Sequence, residues 1–194
     1  MPLSLSCAQR LLRMSLPAAL LLALPAPWAQ APAQHAHEHG RARLDLAVEG
    51  DTLTLALESP LDSLVGFERA PRTEAERQRV AQMVARLRAA DALFAVDPAA
   101  GCTLAEVQLE SAALGLGAAT AAAQQDRNAG AAAHADLDAT LRFQCRQADR
   151  ARFVDIGLFA AFPGLRAVEV QAATPQGQFR RTLTPRAPRL GWGR

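Results

Sequence analysis

Lysine and tyrosine are missing from this 194-residue chain, and aromatic residues make up only 5% of it. All 21 of its basic side chains are therefore arginine. Set beside the abundant alanine, this bias points to the composition of the genome rather than to a function. The formal charge is only +2, and two of the arginines, Arg10 and Arg13, sit in an N-terminal leader. Removing that leader brings the charge to zero, which argues against an electrostatic nucleic-acid binder. The only long apolar run lies between Met14 and about Leu24. It is too short to span a membrane, and no other stretch reaches 18 consecutive apolar residues. Neither HExxH nor GxSxG occurs, so two common hydrolase signatures are missing.

The leader has the order of a secretory signal. A basic start with Arg10 and Arg13 precedes the apolar run, and small residues around Ala31-Pro32-Ala33 follow as a cleavage site. The expectation is a signal peptide over residues 1–33 and one domain over residues 34–194. That leaves roughly 160 residues, enough for one ordinary core. Such a chain would be exported, periplasmic in a Gram-negative cell, with no membrane insertion once the signal is removed. Cys7 falls inside the leader, which leaves Cys102 and Cys145. An even pair in an oxidising compartment reads as a disulfide. Two buried thiols and two thiolate metal ligands are the alternatives.

Histidine is scarce too, yet three of the four sit at alternate positions in Gln34-His35-Ala36-His37-Glu38-His39-Gly40. On an extended strand, residues i, i+2 and i+4 share a face, about 6.6 Å apart at the backbone. Neutral imidazole is the commonest metal ligand among side chains. Zinc takes histidine nitrogens at roughly 2.0–2.1 Å. Copper(II) would suit the strip as well, because affinity alone does not choose the metal. A polar tail with incidental histidines is the competing reading.

Alternation marks the strands. Arg43 to Glu58 reads as a hairpin: Leu44, Leu46 and Val48 answer Leu53, Leu55 and Leu57 across a turn at Gly50. Extended backwards, the first strand would put His35, His37 and His39 on its outer face, provided Gly40 introduces no bulge. Ser59 to Arg72 reads as a loop whose Leu61, Leu64, Val65 and Phe67 cover the core edge. Thr73 and Glu76 form a capping box for one amphipathic helix. Val80, Met83, Val84 and Leu87 line that helix, which ends by about Phe94, before Asp97-Pro98.

A strand then runs from Cys102 to about Glu110, and low complexity over residues 112–133 reads as a loop. Over 135–145, Leu137, Ala139, Leu141, Phe143 and Cys145 share a buried face, while His134, Asp136 and Asp138 share the other. These last three form a second candidate ligand row. Residues 155–165 read as a helix or turn plugging the core. Ala167–Ala173 and Gln178–Thr184 close a hairpin, and the tail from Pro185 wraps the surface. About six strands and one helix give an α+β fold with a mainly antiparallel sheet or small sandwich.

Several of these segments also carry a family pattern. His37-Glu38-His39-Gly40, Glu58-Ser59-Pro60, Val65-Gly66-Phe67-Glu68, Ala100-Gly101-Cys102, Phe143-Gln144-Cys145, Gly157-Leu158-Phe159-Ala160-Ala161-Phe162-Pro163 and Leu183-Thr184-Pro185 occur in order. Together they resemble the zinc-regulated periplasmic zinc-binding proteins of proteobacteria, long catalogued as a domain of unknown function. The resemblance spans nearly the whole exported chain. It implies a non-enzymatic zinc-binding accessory for zinc homeostasis or uptake, working alongside a zinc ABC importer. Three departures matter. Residues 112–133, His/Asp-rich in the family, are nearly free of histidine here. Arg69 stands where a histidine often follows Gly-Phe-Glu, and Asp138 stands for another. These changes count against high-capacity storage and favour one site built from the strip, completed by His134 with Asp136 or Asp138. A metal-free interaction module and a copper-binding variant are the alternatives.

Overall fold

The computed structural model describes residues 39–117 and 135–192. The leader lies outside them. Strand β1 (Arg41–Glu49) turns through Gly50, at φ +59°, into β2 (Thr52–Pro60). A one-turn helix α1 (Leu61–Val65) and a longer helix α2 (Glu74–Arg88) follow. Next come β3 (Phe94–Val96), β4 (Cys102–Glu110), β5 (Asp136–Cys145) and β6 (Phe153–Ile156). The short helix α3 (Leu158–Ala161) leads to β7 (Ala167–Thr174), β8 (Gly177–Leu183) and β9 (Arg189–Gly191).

Six strands form one sheet in the order β4-β5-β2-β1-β7-β8, and three form a second in the order β3-β6-β9. All pairings are antiparallel except β1 with β7, which is parallel. The class is α+β, as expected, with mainly antiparallel open sheets arranged like a sandwich. Alternation in the large sheet does what the side chains dictate. Leu44, Leu46, Leu53, Leu55, Leu57, Leu137, Leu141, Val168 and Val170 turn inward and are buried. Phe94, Val154, Ile156, Leu190, Met83 and Leu87 complete the same core from the second sheet and α2. In β4 a bulge between Leu104 and Glu106 shifts the parity, so Leu104 and Val107 both pack against the core.

Four expectations need correction. The described residues hold nine strands rather than about six, because β3, β6 and β9 are only three or four residues long and show no periodic pattern. Helix α2 stops at Arg88, and Phe94 pairs with Ile156 instead of extending the helix. The Ser59–Arg72 segment is not all loop: β2 runs to Pro60 and α1 follows at once. The tail does not simply wrap the surface, since β9 pairs with β6 and buries Leu190 and Trp192. The capping box stands as expected: the Thr73 hydroxyl accepts from the Glu76 N–H, and the Glu76 carboxylate accepts from the Thr73 N–H.

Cys102 and Cys145 are register partners of β4 and β5 and form a disulfide. Both sulfurs are thereby withdrawn as metal ligands.

Candidate metal centre

His39 and Gly40 form a turn immediately before β1. Gly40 has φ +82°, a conformation that side chains disfavour. The backward extension of β1 therefore fails at this residue, and strand parity does not carry to His39. The turn is clamped from two sides. The Gly40 N–H donates to the buried Ser63 Oγ at 2.9 Å. The Gly40 carbonyl accepts from the Arg166 and Ala167 N–H groups at 2.7 and 3.1 Å. A Cβ at Gly40 would lie 3.1 Å from the Gly164 carbonyl oxygen, so close approach also asks for glycine here.

The clamp delivers His39 to two carboxylates. Its Nδ1 lies 2.7 Å from Asp62 Oδ2 and 3.7 Å from Glu68 Oε1. The imidazole itself stays 70% exposed. Asp62 stands in the first turn of α1, whose Leu61 is fully buried and donates its N–H to the Ala135 carbonyl at 2.8 Å. Gly66 ends α1 at φ +84° and turns the chain outward to Glu68.

The flanking residues hold that turn. Phe67 is buried, with the guanidinium groups of Arg69 and Arg79 lying 5.1 and 5.6 Å from its ring centroid. Arg69 makes a two-pronged pair with Glu76 at 3.0 and 2.7 Å. That guanidinium, with the Arg72 and Thr73 N–H groups, holds the Glu76 carboxyl down at about 2. Arg69 is thus committed to the start of α2.

Asp136 and Asp138 of the second row lie on the outer face of β5. Asp138 is flanked by Glu58 on β2 and Glu110 on β4, its register partners on either side. Asp136 lies two residues away on the same strand face. Partial desolvation, then repulsion from Glu58, Asp136 and Glu110, pushes the Asp138 carboxyl above the usual range. Asp136 and Asp138 are therefore brought together with two carboxylates absent from the sequence-level site, and Asp136 pairs with Pro60, two residues before Asp62. His35, His37 and His134 lie outside the described residues. Among the described residues, no group of three or more His, Cys, Asp and Glu side chains is arranged to hold a metal ion by itself.

Asp62 and Glu68 were missed from the sequence. The signal for Asp62 was present in the hairpin. Arg43 pairs with Glu58, and four further residues along both chains in the same register would set His39 opposite Asp62. Glu68 had no such signal, because its position depends on the left-handed turn at Gly66. An exposed imidazole beside carboxylates suits a borderline cation that takes nitrogen and oxygen ligands. Over residues 36–192 the chain matches the family described as ZrgA family zinc uptake protein. No curated protein matches it.

Proposed function

The chain belongs to the ZrgA family of zinc uptake proteins, and from that premise we propose that it is an exported, periplasmic zinc-binding accessory. The observation that carries the reading is His39, held by a clamped turn as an exposed imidazole beside Asp62 and Glu68. His39 is the last residue of the strip, so His35 and His37 are four and two residues away along the chain. Neutral imidazoles from these three would take the cargo ion. His134, with Asp136 or Asp138, is the second ligand row. His134 directly precedes Ala135, whose carbonyl is bonded to Leu61, the neighbour of Asp62.

Binding rather than catalysis is the role, with the ion passed on to a zinc ABC importer. Affinity falls in acid, because protonated rings cannot coordinate. The absence of histidine from residues 112–133 favours one site over bulk storage.

Titration calorimetry with zinc and with copper tests this on the exported chain beside the His35→Ala/His37→Ala/His39→Ala variant. One zinc bound by the parent and lost in the variant is expected, with His134→Ala weakening what remains of the site. Equal binding by both, or none by either, refutes the proposal. Tighter copper binding at the same residues would make this a copper carrier.

A further inference from the structure

We infer that Asp62 is a positioning residue that fixes the tautomer of His39, so that Nε2 is the nitrogen offered to metal. The inference rests on the zinc-binding reading and adds a role for a residue outside the histidine strip. The argument starts from the hydrogen bond. An ionised carboxylate can only accept, so the 2.7 Å contact with Asp62 requires the proton to sit on Nδ1. In the neutral ring Nε2 then carries the free lone pair. Glu68, 3.7 Å from the same nitrogen, adds negative charge on the same side and favours the same arrangement. The ring is 70% exposed, which leaves its unpaired nitrogen open to solvent and ions.

The acceptor is also held still. Leu61 is anchored to Ala135, and the Gly66 N–H closes on the Asp62 carbonyl at 2.9 Å. Ser63, next to Asp62, receives the N–H of Gly40, next to His39. One hydrogen bond, from the Gly40 N–H to the Ser63 hydroxyl, therefore ties the two segments together, and the adjacent one sets the ring. A carboxylate behind a ligating imidazole fixes its orientation and raises its basicity. Losing such a partner typically costs about 10–100-fold in metal affinity.

Direct ligation by Asp62 fits less well. Two ligand atoms on one tetrahedral zinc stand about 3.3 Å apart for bonds of about 2.0 Å. The 2.7 Å contact would have to open before an ion could bind both atoms.

Three measurements on the exported chain test the inference. Nitrogen-15 NMR of the metal-free protein should show His39 protonated at Nδ1, with Asp62→Asn mixing the two tautomers. Zinc affinity should fall about 10–100-fold in Asp62→Asn. The visible spectrum of the cobalt(II)-loaded variant should keep the parent's band positions, because the ligand set is unchanged. A parent ring protonated at Nε2, an unchanged zinc affinity, or a shifted cobalt spectrum would each overturn the role, the last by making Asp62 a ligand. The NMR result on the parent does not depend on the variant folding. Failure of zinc to bind a parent with the expected tautomer would sink the zinc-binding reading, and with it the metal half of this inference. Zinc binding by a parent with the opposite tautomer would sink only the role of Asp62.

Discussion

Reducing the Cys102–Cys145 bond should cost this protein about 4 kcal/mol. The two residues are 43 apart in sequence, and a loop of that length gives roughly 4 kcal/mol from the chain-entropy relation. Packing adds little to this figure. Cys102 is only partly buried, and the pair closes one end of a β4–β5 ladder that continues to Glu110 and Asp138. The assay is urea unfolding of the oxidised chain, the reduced chain and the Cys102→Ala/Cys145→Ala variant, followed by fluorescence of the buried Trp192. With a slope of about 2 kcal/mol/M, the midpoint should fall by about 2 M on reduction. The alanine variant should fall slightly further, by the small cavity left beside Cys145. A loss under about 1 kcal/mol on reduction would refute the reasoning, because it would mean the open loop is already constrained in the unfolded chain.

Thr73→Ala should destabilise the fold by about 1 kcal/mol in the same assay, by removing the helix cap that receives the Glu76 N–H. Glu76, held at about 2 against an ordinary 4.5, contributes stability that is complete above about 4.5 and is lost as pH falls towards 2. Glu76→Gln should flatten that limb of the stability–pH curve. Asp138 shows the opposite sign: its raised carboxyl binds a proton more tightly when folded, so ionisation costs stability above the usual range. Asp138→Asn should therefore be more stable than the parent at pH 7, and the gain should vanish in acid. Gly164→Ala would set a Cβ 2.5 Å from the Ser63 carbonyl oxygen. It should cost about 1–3 kcal/mol and weaken zinc binding as well, since Ser63 holds the turn that presents His39.

Local patterns in the sequence determined much of this molecule. Alternation marked β1, β2 and β5, because a sheet with one buried face imposes a two-residue period on its strands. The Thr73–Glu76 box marked the start of α2, because its bonds close within one turn. The histidine strip and the cysteine pair were legible as residue types at given spacings. What only the tertiary structure decided lies in contacts between distant segments. Strands β3, β6 and β9 have no period to read and exist because each finds a partner, as Phe94 finds Ile156. The parallel pairing of β1 with β7 joins residues more than a hundred positions apart. The site followed the same division. Sequence named His39, but Gly40 broke the strand expected to carry it, since its positive φ answers to a clamp made by Ser63 and Arg166. Asp62 and Glu68 reach His39 only through α1 and the Gly66 turn, and the carboxylates around Asp138 gather only through the register of three strands. Periodicity reports which face a residue takes within its own segment, whereas the partners across that face are set by how the segments pack.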